Sequence, residues 1–136
     1  MIRSLALALM LAVSACAEQQ AAPQPTPPPV VQLNRTQWIS TEGGLNAPTL
    51  EFIDSRANGH TGCNRFFAQV ELNGPSIRFG GISTTRRACS PDLMELEQNF
   101  VSRLEGARFV RVDADALVLL DVNNVEIARF GRRGRE

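Results

Sequence analysis

Short runs in which apolar and polar residues alternate fill the chain from residue 34 onward. Phe66, Ala68, Val70 and Leu72 fall on one side of an extended chain, as do Ile77 and Phe79. That period of two marks a strand with one buried face. β-Branched and aromatic runs bounded by turn residues predict strands at 36–41, 49–54, 57–62, 66–72, 76–82, 108–112, 116–121 and 125–130. Asn73-Gly74 can adopt the positive φ angles of a tight hairpin. Asn58-Gly59 and Asn123-Asn124 offer similar conformations, and Asp113-Ala114-Asp115 supplies another short connection. Strands joined by loops this short pair antiparallel.

The period changes once. Leu93, Leu96, Phe100 and Leu104 recur at helical spacing, with Val101 widening the stripe. Ser90 suits the N-cap, Pro91 the first helical position and Asp92 the positive end of the helix dipole, while Gly106 marks a stop. A helix over 91–105 would lay its apolar face across the sheet or plug one end of a barrel. The fold class is therefore α+β, mainly β: about eight short antiparallel strands packed on one helix.

The amino-terminal quarter follows other rules. Residues 1–15 have a charged start at Arg3, an apolar run and small residues at Ser14 and Ala15, the plan of a secretory signal. The run from Ser4 to Ala15 is 12 residues, whereas a spanning helix takes roughly 20. Val13-Ser14-Ala15-Cys16 resembles the lipobox of bacterial lipoprotein precursors. The resemblance implies cleavage before Cys16, diacylglycerol on its sulfur and an acylated amino terminus, enough chains for stable membrane anchoring. Ala17 after that cysteine favours the outer membrane, facing the periplasm. Residues 16–33 then read as a tether, because Pro23, Pro25, Pro27, Pro28 and Pro29 favour an extended polyproline II spacer. The domain runs over 34–131, and 132–136 reads as a disordered basic tail.

Charge narrows the partners. The 14 basic and 14 acidic residues cancel, the aromatics are mostly Phe, and the arginines are dispersed outside the carboxyl terminus, so nucleic acid is not an expected partner. Apart from Cys16 there are two cysteines, Cys63 and Cys89, and in an oxidising compartment an even pair reads as a disulfide. A reactive thiol pair and a zinc site using His60, Cys63 and Cys89 are the chemical alternatives. His60 is the only histidine, no Gly-x-Ser-x-Gly elbow is present, and Gly80-Gly81 lies at a strand end without a phosphate-loop Lys. The expectation is a chain without catalytic residues, metal or cofactor.

Gly62-Cys63-Asn64-Arg65-Phe66-Phe67, followed after a hairpin by Thr84-Thr85-Arg86-Arg87-Ala88-Cys89, resembles the paired signature of META domains, whose bacterial type is the HslJ-like heat-shock lipoprotein. Trp38, Glu97, Phe100 and Leu104 fit the same pattern, whereas Arg87 stands where many members carry an apolar residue. The resemblance implies a strongly curved antiparallel sheet or small barrel packed on a helix, and it implies heat response, outer-membrane lipoproteins and drug tolerance rather than a reaction. Glu97 is expected to pair with Arg65 or Arg86 and so fix the helix register. These features together predict a non-enzymatic, membrane-anchored envelope lipoprotein that contributes to envelope integrity or stress tolerance by binding a protein or envelope component. A small apolar ligand carrier and an inhibitor of an envelope enzyme are the alternatives. A lined cavity would favour the carrier, and a filled core with a protruding loop over 42–48 the binding module.

Overall fold

The computed structural model describes residues 31–134. The signal segment 1–15, the lipidation site Cys16, most of the tether and the last two residues lie outside the described residues. Strands β1 (Thr36–Ser40), β2 (Thr49–Ile53), β3 (Arg56–His60), β4 (Arg65–Asn73) and β5 (Ser76–Thr84) come first. Helix α1 (Pro91–Gly106) follows, then β6 (Phe109–Asp113), β7 (Ala116–Leu120) and β8 (Glu126–Arg132). Each strand pairs antiparallel with the next, and β8 returns to β1 at Ser40↔Phe130, so the meander closes into an eight-stranded barrel. At eight strands a barrel interior is just wide enough for side chains to fill. Trp38, Leu50, Phe66, Leu104, Leu117 and Leu119 are 0 % exposed there.

One junction in the barrel is short. β5 meets β6 at a single residue pair, Ser76↔Phe109, with the flanking bonds Ile77 N–H to Arg108 C=O at 2.9 Å and Val110 N–H to Pro75 C=O at 2.8 Å. The helix compensates on one side of this seam, packing Phe100 against Phe66 and Phe130 at ring-centroid distances of 5.2 and 6.3 Å. Ser90 occupies the N-cap, yet its carbonyl, not its hydroxyl, receives the first helical N–H groups. The helix continues through Gly106, and Ala107, extended and fully buried, ends it.

The turns correct the sequence reading in three places. Asn58-Gly59 is not a hairpin tip but the middle of β3. The chain reverses instead after β2, at Asp54 with φ 55°. Gly59 is required inside the strand: it faces Leu50 and Phe66, and a Cβ there would fall 2.0 Å from the Thr49 carbonyl oxygen. Asn73 pairs with Ser76, so the loop between β4 and β5 is Gly74-Pro75, with φ 57° at Gly74. That is the positive first position a type II′ turn demands. Gly80-Gly81 lies within β5, where the pairing slips by one residue between Phe67↔Ser83 and Gln69↔Gly80, and Gly81 has φ 58°. This glycine bulge shifts the inward positions from Ile77 and Phe79 to Ile82 and Thr84, which a simple alternation could not predict. Leu72, at the far end of its alternating run, is partly exposed.

Both domain edges reach further than 34–131. Leu33 is buried in the core and Val31 packs against it, so the tether's last residues strap the barrel mouth opposite the helix. Asn34 Oδ1 accepts the Asp54 N–H at 2.8 Å, and the Leu33 carbonyl accepts the Thr36 N–H at 3.1 Å. At the other terminus Arg132 belongs to β8. Its guanidinium lies 4.7 Å from the Trp38 ring centroid, and Arg133 N–H reaches the Gln37 carbonyl at 2.9 Å. These arginines read as tail because their own run is polar; their partners are on β1, almost a hundred residues away in sequence.

Two glycine substitutions separate crowding from strain. Gly59→Ala is expected to cost about 2–3 kcal/mol through the Thr49 collision, and Gly74→Ala about 1 kcal/mol, from its positive φ alone. Thermal unfolding followed by circular dichroism reads both, at roughly 4–8 °C per kcal/mol. Equal shifts for the two would contradict the assigned cause.

Candidate functional site: a polar clamp at the helix

β3 ends at His60, and parity places the next residue, Thr61, on the inward side with Ala57 and Gly59. Its hydroxyl is wholly buried and would be costly without partners. It lies 2.5 Å from Glu97 Oε2 and accepts the N–H groups of Asn64 at 2.8 Å and Cys63 at 3.3 Å. Thr61 N–H in turn reaches the Asn64 carbonyl at 2.7 Å. These bonds fold residues 61–64 into one tight turn. Gly62 sits there at φ 100°, where a Cβ would come 2.6 Å from Leu96 of the helix.

Asn64, 2 % exposed, is the hub. Its Oδ1 accepts Arg87 N–H at 2.7 Å and the Thr85 hydroxyl at 3.0 Å, while its Nδ2 donates to the Arg87 carbonyl at 3.3 Å and to Glu97 Oε1 at 3.2 Å. Thr85 Oγ1 also accepts Arg65 N–H at 3.1 Å. The disulfide between Cys63 and Cys89, with Cα atoms 6.0 Å apart, closes the far end of the same segment. Three pieces of chain are thus clamped together: the turn after β3, the segment leading from β5 to the helix, and the helix itself at Glu97. Among the described residues, no buried side-chain nitrogen or oxygen lacks a partner.

The family-pattern residues gather here or in the core. Gly62, Asn64, Thr85 and Glu97 build the clamp, and Trp38 and Phe66 lie in the core, with Trp38 Nε1–H donating to Thr36 Oγ1 at 2.8 Å. Arg65 and Arg86 are exposed, and neither pairs with Glu97. The expected ion pair is therefore corrected. Glu97 is met by a hydroxyl and an amide, because the turn after β3 brings side chains to it while the arginines, one on the outer face of β4 and one in the connecting segment, stay in solvent. Arg87 departs from the family pattern at little cost, since its backbone makes both bonds to Asn64 and its side chain is exposed. Thr61 escaped the sequence reading, although extending the inward parity of Ala57 and Gly59 would have found it.

Neither sulfur is free to bind a metal in this state. His60 Nδ1 accepts the Gly62 N–H at 3.1 Å, and the ring lies on the exposed side of β3. Among the described residues no group of three His, Cys, Asp or Glu side chains converges. The arrangement offers donors and acceptors already matched to one another, which is the chemistry of a fastening.

A closed eight-stranded meander plugged by one helix, with a Thr-Asn-Glu clamp and a disulfide beside the plug, defines the class. Residues 30–134 match the META domain, and the chain belongs to that family. Among solved structures it is similar to a protein from Burkholderia xenovorans determined by NMR, at 21 % identity and TM-score 0.64, covering 88 % of this chain and 99 % of that one. A second NMR structure matches at 21 % identity and TM-score 0.58, covering 73 % and 90 %. A DUF4847 family protein from Bacteroides vulgatus ATCC 8482 matches at 16 % identity and TM-score 0.52, covering 67 % and 62 %. These likenesses establish the fold. No curated protein matches the chain.

The clamp makes distinct predictions for its members. Asn64→Ala, which strands several buried partners, is expected to cost about 3 kcal/mol. Glu97→Gln can still accept from Asn64 but turns an amide N–H on Thr61, whose oxygen already accepts from Asn64 and Cys63, and should cost about 1–2 kcal/mol. Arg65→Glu and Arg86→Glu should each change stability by less than about 0.5 kcal/mol. Urea unfolding measures all four, and a large loss on reversing either arginine would revive the ion pair. Reducing the disulfide, which closes a loop of 26 residues, should remove about 3.5 kcal/mol on the chain-entropy estimate.

Proposed function

We propose that this META domain protein is a non-enzymatic, lipid-anchored lipoprotein of the bacterial envelope that supports envelope integrity or stress tolerance by binding a protein or envelope component. The observation that carries the reading is the contrast between a filled interior and a stiffly presented loop. Trp38, Phe52, Phe66, Phe79, Phe100 and Phe130 occupy the barrel, leaving its centre to the protein's own side chains, which favours binding at the surface over carrying a ligand inside.

The loop between β1 and β2 projects from the helix end. Its tip is a single 3₁₀ turn, Gly44–Asn46, entered through left-handed Gly43 at φ 97°. Glu42 is ion-paired with Arg103 of the helix, Thr41 N–H reaches the Arg129 carbonyl at 3.1 Å, and a Cβ on Gly43 would meet the loop's own Ala47 Cα at 2.9 Å. Leu45 stands at the apex, 106 % exposed. A large apolar side chain on a braced loop is the form of a binding anchor, because ordering it on contact costs little entropy.

A photo-crosslinking residue at position 45, in the full chain expressed in cells, tests the reading. A discrete adduct that a probe at the exposed Glu71 of β4 does not give is the expected result. Identical, diffuse labelling from both positions would remove the support of the loop. Anchoring is tested separately by the mass of the mature amino-terminal peptide, which should carry acyl groups on Cys16.

A further inference from the structure

The short seam between β5 and β6 leaves a strand edge without a described neighbour. Val110 N–H points toward β5 and is taken by the Pro75 carbonyl, but Pro75 has no N–H to return to the Val110 carbonyl. Two residues on, Val112 turns its N–H and C=O to the same side, beyond Ser76, the last residue of β5 paired to β6. Beside this edge runs a groove of about 640 Å³, with Val31, Pro75, Phe109, Val112 and Leu120 in its walls. Main-chain donors and acceptors next to apolar walls call for an extended chain that still carries N–H groups.

We propose that a second copy of this chain fills the edge, β6 pairing antiparallel with β6 about a two-fold axis through Val112. In that frame the two Val112 residues exchange both main-chain bonds, the arrangement a two-fold contact allows. Arg111 then faces Asp113 of the other copy, twice over. Within one chain these side chains already share a face, with Arg111 Nε 2.6 Å from Asp113 Oδ2. The dimer turns two local pairs into a ring of four alternating charges. A strand reading Arg-Val-Asp is thus complementary to itself at the register set by Val112, whose main chain has no partner on that side among the described residues. Ala114, with φ 51°, begins the turn to β7 just past Asp113, so each strand ends before it would meet Pro75 of the other copy. This inference does not depend on the proposed anchoring or on Leu45.

The test uses the full chain in detergent. Val112→Cys places two thiols at the roughly 5.5 Å Cα separation of a bonded antiparallel pair, within disulfide reach. Oxidation should give a covalent dimer whose cross-linked peptide is 112 to 112, while Ser83→Cys, near the other end of β5 from Ser76, should not. In sedimentation equilibrium the unaltered chain should dimerise, and Val112→Pro, which removes the edge donor and no described bond, should be monomeric with its thermal transition retained. Arg111→Asp should weaken association about tenfold by setting aspartates opposite each other, and adding Asp113→Arg should restore it. A monomer at every concentration reached, or a disulfide from 112 to a different protein, would overturn the proposal. A foreign cross-link at 112 would still leave the binding reading standing.

Discussion

The ladder between β5 and β6 is one residue pair long, and this shortage organises the rest of the molecule. A closed barrel needs continuous pairing to satisfy its main chain, yet the two strands at the seam overlap only at Ser76 and Phe109. Beyond that pair, β5 runs one way and β6 the other. The helix inserted between them in sequence is also the element that covers the exposed flank of β5. Its Phe100 packs on Phe66 and Phe130, so the helix joins the core at the barrel end next to the gap in the sheet. Apolar contact alone would tolerate sliding or rotation of the helix. The clamp at Glu97 removes that freedom, because directional bonds to Thr61 and Asn64 exist in one register only.

The disulfide fits the same logic. The segment from Thr85 to Ser90 has no strand partner and must carry the chain from the sheet to the helix. Asn64 supplies it with a side-chain imitation of a strand, accepting from Arg87 N–H and donating to its carbonyl, and Cys63 fastens its end. Elsewhere the surface contributes less. Arg129 holds the Glu126 carboxyl below its ordinary value, chiefly by hydrogen bonding. That contribution is complete above the unfolded carboxyl's range and lost as pH falls through the lowered value. With both groups in open solvent it is a minor one.

Much of the fold was legible because strand period, turn residues and the helical stripe are local signals. All eight strands and the helix lie where the pattern placed them, with boundary shifts of a few residues. The curved sheet and the disulfide followed from the resemblance and from the count of cysteines. Errors arose where a residue's role is set by something distant. Gly59 looked like a turn because the Thr49 carbonyl that forbids a side chain there is on another strand. Gly81 looked like a strand end because a bulge is defined by the partner's register. Glu97 looked like half of an ion pair because charge suggests charge, whereas burial favoured neutral donors that the inward turn at Thr61 happened to supply.

That last substitution bears on what a family signature can mean. The residues by which this chain resembles META domains are largely those of the clamp and the core, and their polar groups are already spent on one another. A motif built this way specifies architecture, and the same fold recurs in solved structures at only 16–21 % identity. On the proposed binding reading, contact with a partner falls to parts the signature leaves free. In this chain those parts lie on opposite sides of the same construction: the braced loop with Leu45 at the helix end, and the β6 edge that the short seam exposes at the strapped end. Both follow from how the barrel closes, one buttressed by the helix and the other, among the described residues, beyond its reach.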